Sequence, residues 1–199
     1  MNNSNLLQFI ENQNTEITLM AANNSETELI HKHLNRFESL KEYPMVVIAE
    51  VLKLQKNNQA SFLPLLSLNY SVKQTKIPIH EENFAEFELV GICELRKDYG
   101  MVIIRPETIV DKIVDWFVPV EIDFDIDPDF SEKYYVLTND DSKLKRVANK
   151  GFLTAIKNFD GLEIEINGSI LMVRLRKPFT TENAKTIIGF LAQINDGIN

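Results

Sequence analysis

The dipeptide Asn167-Gly168 sits between two short runs of alternating apolar and polar residues, and it constrains the chain more than any other feature. Both central positions of a type I′ turn need positive φ, which Asn and Gly tolerate, so the pair predicts a tight β-hairpin. Pairing Ile166 with Ser169 sets Glu165 opposite Ile170, Ile164 opposite Leu171, Glu163 opposite Met172 and Leu162 opposite Val173. One face of the hairpin is then wholly apolar. On the other, Arg174 lies diagonal to Glu163, an ion pair on a face that should stay solvated. Thr180 is placed to cap a final helix whose Ala184, Ile187, Ile188, Leu191 and Ile194 face inward.

The same logic reads the chain backwards from the hairpin. Asn139 or Asp140 caps a helix with the stripe Leu144, Val147, Ala148, Gly151, Phe152, Ala155, Ile156 and Phe159. Val120, Ile122, Phe124 and Ile126 alternate with acids as a strand, and Tyr134 to Leu137 form another after the turn signal Asp127-Pro128-Asp129. Pro106 at a first helical position opens a helix carrying Ile109, Val110, Ile113, Val114 and Phe117, which Pro119 stops. Residues 106–199 therefore read α-β-β-α-β-β-α.

Residues 26–105 read as a helix followed by antiparallel strands. Ser25 and Glu28 have capping-box spacing, and Leu29, Ile30, His33, Leu34, Phe37 and Leu40 recur on one helical face until Tyr43-Pro44. Val46, Val47, Ile48 and Val51 favour a strand from Met45 to Leu54. Past Asn57-Asn58-Gln59, the residues Phe62, Leu66, Leu68, Tyr70 and Val72 alternate with Ser67, Asn69, Ser71 and Lys73. Further strands follow at Phe84–Arg96 and Met101–Arg105, split by Lys97-Asp98-Tyr99-Gly100. Residues 1–25 are a polar segment, with Leu6, Leu7 and Ile10 suited to a short helix and Ile17 and Leu19 to a short strand. The fold class is α+β, a mainly antiparallel sheet with helices packed on one face, in one domain or two closely packed units (26–105 and 106–199).

Charge excludes several partners. With 29 acidic and 21 basic residues the chain carries a net charge of −8 and repels phosphate backbones and anionic lipid. No nucleic-acid partner is expected. The start at Met1 lacks a basic region before Leu6–Ile10, and no run of eighteen apolar residues occurs, so neither a signal peptide nor a membrane-inserted helix is expected. The single cysteine, Cys93, offers no internal disulfide, which places the protein in a reducing compartment, the cytoplasm.

Candidate chemistry dissolves on inspection. Glu121, Asp123, Asp125, Asp127 and Asp129 share one face of the expected strand, but same-face carboxylates on a strand stand about 6.6 Å apart and cannot enclose a calcium ion. A solvated face, or one steering a Lys/Arg-rich protein, is the simpler reading. His31 and His33 point to different faces of their helix, and His80 is remote in sequence, so they do not chelate together. Cys93 shares a strand face with Phe87, Leu89 and Leu95, which predicts an inert, buried thiol. The seven glycines do not cluster as a phosphate loop requires, and Asp140-Asp141 sit where acids complement a helix dipole. Trp116 and Phe117 read as core, with a partner patch as the alternative. No catalytic residue, cofactor-binding residue or metal ligand is assigned, and no cofactor is expected.

The run Asp129-Phe130-Ser131-Glu132-Lys133-Tyr134-Tyr135-Val136, with Asp140, Arg146, Phe152-Leu153 and the hairpin from Glu163 to Arg174, resembles a family of uncharacterised bacterial domains with a Phe-x-x-x-(Phe/Tyr)-x-Val signature. That family has no assigned activity, so the resemblance implies no catalytic residue. The element order from 106 to 195 and the acidic pI look like the small chaperones of bacterial secretion systems, which have three strands where two are read here. The functional expectation is a non-enzymatic, soluble protein-binding module whose partner is another protein, a second copy of the chain included. A secretion-chaperone-like protein, and a small-ligand binder or enzyme with a site assembled from scattered residues, are the alternatives.

Overall fold

The computed structural model describes residues 15–21, 25–73, 81–106, 124 and 127–198. In chain order the elements are β1 (Glu16–Leu19), α1 (Ser25–Leu34), a 3-10 turn (Glu38–Leu40), β2 (Met45–Lys56), β3 (Gln59–Lys73), β4 (Glu81–Leu89), β5 (Gly91–Glu94) and β6 (Met101–Pro106). They continue as α2 (Pro128–Ser131), β7 (Tyr134–Thr138), α3 (Asp141–Val147), α4 (Lys150–Lys157), β8 (Glu163–Asn167), β9 (Ile170–Arg174), α5 (Thr181–Gln193) and a closing π turn, Ile194–Ile198.

All strands among the described residues join one antiparallel sheet in the order β1-β2-β3-β5-β9-β8-β6-β7, with β4 pairing β3 beyond β5. The α+β class read from the sequence is the observed one. β2 and β3 are joined through Asn57 and Asn58, both at positive φ (50° and 60°), the backbone a two-residue type I′ turn requires. Along β3, Pro64 faces Val90 and accepts its N–H at 3.1 Å. Proline has no N–H to return, so the ladder loses a bond there and one long strand divides into β4 and β5.

Two apolar layers sandwich the sheet. On one face, α3, α4 and α5 close over Val102, Ile104, Ile164, Ile166, Leu171 and Val173. This is the helix-covered face expected for the C-terminal half. α5 comes so close that a Cβ on Gly91 would stand 2.8 Å from Ile187, Leu191 and Val173 side chains, which is why only glycine fits. On the opposite face, α1 and the 3-10 turn bring Ile30, Leu34, Phe37 and Leu40 onto Val51, Leu66, Leu68, Ile92 and Met172, so helices cover both faces of the sheet and not the single face expected.

Several sequence expectations change. The C-terminal hairpin turns at Gly168-Ser169, with Gly168 at φ 67° and Asn167 paired to Ile170, so the register slides by two and Glu163 stands directly opposite Arg174. A slide of two keeps each side chain on its face, so the apolar layer survives the error. The single helix read across residues 140–159 is two helices, because Ala148 is extended and Asn149 accepts the Phe152 N–H at 2.9 Å to start α4 afresh. Gly151 is exposed rather than part of the stripe. Pro106 ends β6 instead of opening a helix, while the helix read at 107–118 and the strand read at 120–126, apart from Phe124, which is not in a strand, lie outside the described residues. The first helix stops at Leu34, leaving Leu29 exposed. Asp140 and Thr180 cap α3 and α5 as expected. The short strand at Ile17 and Leu19 is β1, and the helix read at Leu6–Ile10 lies outside the described residues.

Candidate functional site

The face expected to be solvated holds instead a buried ion network. β-strand alternation places Arg174 of β9, Glu163 and Glu165 of β8 and Glu88 of β4 on the α1 side of the sheet. Arg174 is 0% and Glu163 1% exposed, and Glu88, Glu165 and Arg105 are buried with them. Arg174 grips Glu88 in a fork, Nε to Oε1 at 2.8 Å and Nη2 to Oε2 at 2.5 Å. It also donates to the Ser39 carbonyl at 3.2 Å and the Tyr43 hydroxyl at 3.1 Å, with its guanidinium 5.6 Å from the Tyr43 ring centre. Burial alone lowers an arginine pKa, but the hydrogen bonds and charge of Glu88, then Tyr43, reverse that and hold Arg174 above its ordinary value.

Glu163, opposite Arg174, turns to other partners. Arg176, at the left-handed φ of 49° just past β9, bonds it through Nε and through Nη2 at 3.1 Å, and Arg105 Nη2 lies 3.3 Å away. The Arg176 N–H donates to Glu88 Oε1 at 3.2 Å, and its Nη1 reaches Glu42 at 3.1 Å. Glu165 caps the 3-10 turn from across the sheet, accepting the N–H groups of Glu38 at 2.6 Å and Ser39 at 3.1 Å. Burial pushes its pKa up against those two donors. These contacts tie β4, β8 and β9 to the 3-10 turn and to Glu42 and Tyr43 beyond it.

A second feature is the uncovered end of the α3–α5 face. Val47, Ser67 and Phe87 form one row across β2, β3 and β4, with Met45 beside Asn69 in the next row. Ser67 follows Leu65 and Leu63 on the same face of β3, so this row continues the helix-covered layer beyond its cover. Met45 is 54%, Val47 43% and Phe87 48% exposed. Three large apolar side chains in neighbouring rows are therefore left open at this end of the sheet.

A third is a groove of about 570 Å³ between α1 and the sheet, floored by Phe62, Ile92 and Ile170 and rimmed by His33, Glu94 and Arg96. His33 Nδ1 is buried without a hydrogen-bond partner among the described residues. Burial, followed by the nearby Arg36 charge, lowers the His33 pKa and keeps the ring neutral, with Glu94 opposing.

The other candidates fall out simply. Asp127 is not on a strand: it caps α2 through the Phe130 N–H at 3.2 Å and pairs with Lys157 at 2.6 Å, while Asp129 is exposed in the first turn. Glu121, Asp123, Asp125, His80, Trp116 and Phe117 lie outside the described residues. His31 is exposed, and no group of His, Cys, Asp and Glu among the described residues could hold a metal ion. Burial pushes the Cys93 thiol to about 12, which makes it inert. The signature residues Phe130, Tyr134 and Val136 are core, Phe130 and Tyr134 stacking with ring centres 4.9 Å apart. No helix among the described residues is long and apolar enough to cross a membrane.

Sequence reasoning missed the network because it treated charge on a strand as evidence of solvent. The available signal was parity: Met172 and Arg174 on β9, like Glu163 and Glu165 on β8, recur two apart on strands whose other face is apolar. No protein-family model matches the sequence, and no curated protein matches it. The fold is similar to the crystal structure of the mycobacterial trehalose monomycolate transport factor A, TtfA, with a TM-score of 0.51 and 10% identity over 96% of this chain and 90% of that one. At that identity the likeness establishes a shared fold and nothing further.

Proposed function

We propose that this protein is a non-enzymatic, soluble protein-binding module that docks a partner on the uncovered sheet face of β2, β3 and β4. The observation that carries the reading is the open patch of Met45, Val47 and Phe87, apolar side chains held in register on paired strands. The finer form is a chaperone-like role in transport, supported by a fold shared with a protein named as a transport factor. The test is affinity capture from native lysate followed by size-exclusion chromatography of the recovered complex. A partner that co-elutes at fixed stoichiometry, and is lost when Met45, Val47 and Phe87 are all replaced by serine, supports the reading. A strictly monomeric protein that recovers nothing at any salt, or a partner indifferent to the triple replacement, refutes it.

A second reading, a small-ligand binder, is favoured by the groove beside His33. A thermal-shift panel of metabolites decides it, since a ligand at ~100 times its dissociation constant adds about 2.7 kcal/mol.

A further inference from the structure

Leu19, Met45, Val47 and Phe87 are exposed, and all four lie on the face of the sheet that α3, α4 and α5 cover elsewhere. Leu19 stands opposite Leu52, which packs against that layer, and Val47 and Phe87 flank Ser67. Along this face of β2 the side chains run Leu52, Glu50, Val47, Met45. The irregularity between Ile48 and Glu50 sets that order, because it places Glu50 opposite Leu65, whereas unbroken alternation from Val47 would have sent it to the α1 side. The Glu50 carboxylate is exposed and makes no hydrogen bond or ion pair with the described residues. One charge is thus set in an apolar strip.

The strip has the dimensions of a helix. From Leu52 to Met45 it runs three steps of about 6.7 Å, or about 20 Å in all, which a helix of about 13 residues spans. α5, which covers the neighbouring part of the same face, has 13 residues. A partner that continues this layer beside α5 is therefore helical. Its charge follows from Glu50. A wholly apolar helix face would bury that carboxylate without a partner, whereas one lysine or arginine within the stripe pairs it. Anionic lipid is repelled by the same carboxylate and by the net charge of −8. A second copy docked about a two-fold axis would bring two unpaired Glu50 carboxylates into one apolar interface.

We propose that this strip binds an amphipathic α-helix of a partner protein, laid along β2 beside α5, whose apolar stripe carries one lysine or arginine that meets Glu50. This rests on the protein-binding reading and specifies its ligand. Apolar side chains of the helix cover Leu19 and Leu52 at one end and Val47, Phe87 and Met45 at the other. The basic side chain packs its stem between them and sets its head on the carboxylate.

The probe is a fluorescein-labelled, amidated peptide, Ala-Gln-Leu-Ala-Gln-Ala-Lys-Ala-Gln-Leu-Leu-Ala-Gln-Leu-Ala-Gln, whose leucines and lysine share one helical face, read by fluorescence anisotropy against the full chain. The expected result is binding about fivefold tighter than that of the analogue with glutamate in place of the lysine, an order that Glu50→Lys inverts. Circular dichroism of that variant stays unchanged, since the side chain is exposed and unpaired. Proline in place of the alanine after the lysine breaks the peptide helix and removes binding. Replacing Val47 and Phe87 by serine weakens the lysine peptide about tenfold. Absence of binding by the lysine peptide overturns the proposal. So does the same preference in the native chain and in Glu50→Lys, or full affinity for the proline analogue. If any of these occurs while a captured partner is still lost on replacing Met45, Val47 and Phe87, face docking stands and the helical occupant alone is wrong.

Discussion

Replacing Arg174 by methionine tests the physical core of this structure, because it removes one member of a buried pair and leaves the other in place. The Glu88 carboxylate would lose donors at 2.8 and 2.5 Å and keep only the Arg176 N–H at 3.2 Å. A buried charge stripped of its partner costs about 3–5 kcal/mol, and the Ser39 carbonyl, 3.2 Å from Nη1, loses its donor as well. With a urea m-value of about 2 kcal/mol/M, the midpoint followed by far-UV circular dichroism should fall by about 1.5–2.5 M. Glu88→Leu alone should cost a similar amount for the converse reason. The double replacement puts apolar groups against each other and leaves the Arg176 N–H, the Ser39 carbonyl and the Tyr43 hydroxyl without these partners, so its cost should be about 2–4 kcal/mol rather than the sum. Single replacements costing under about 1 kcal/mol, or a double variant that sums them, would refute the claim that these charges are buried and coupled.

Three further outcomes follow from single residues. Gly91→Ala should destabilise by about 1–3 kcal/mol in urea, since its Cβ would meet three side-chain atoms at 2.8 Å. Burial raises the Glu165 pKa above its ordinary 4.5, so the folded state binds that proton more tightly than the unfolded state. The contribution is fully present below pH 4.5 and is lost as pH rises through the folded value, so stability relative to Glu165→Gln should decline with pH above about 4.5 in paired urea titrations. Cys93, its thiol pushed to about 12, should resist an aromatic disulfide reagent at pH 8 in the native state and react fully in urea.

How much of this was legible depended on the range of the interaction. The cap at Thr180, the stripe of α5 and the alternation of β8 and β9 are local, and each follows from residues within a few positions of one another. The break at Ala148-Asn149 is local too, but an apolar stripe continuing through it hid a second cap. The hairpin register failed because glycine takes the first turn position alone, which moves the loop one residue along. The ion network was beyond reach: Arg174 meets Glu88 across 86 residues and Glu165 meets Ser39 across 126, and nothing local says that a strand's polar face will be covered. The apolar row was half visible, because Phe87 alternates like a core residue and only the extent of the helices leaves it open.

β4 depends on that network more than any other strand. Its ladder to β3 ends at Leu65–Leu89, where Pro64 withholds the next bond from Val90, and its outer edge meets β9 through side chains, Arg174 to Glu88, instead of through backbone. Loss of Arg174 should therefore loosen β4 before the rest of the sheet. The amides of Glu86 and Glu88 point toward β3 with that of Ile92, so all three should exchange with solvent only on global unfolding in the native chain. In Arg174→Met, Glu86 and Glu88 should exchange through a local opening, at a free energy below the global value from urea, while Ile92, held by β3 and β9 on both sides, should stay at that value. Equal free energies at all three amides would mean that the network stabilises the whole molecule evenly. β4 would then be held by its β3 ladder alone, and the Arg174–Glu88 pair would not be what holds Phe87 in place.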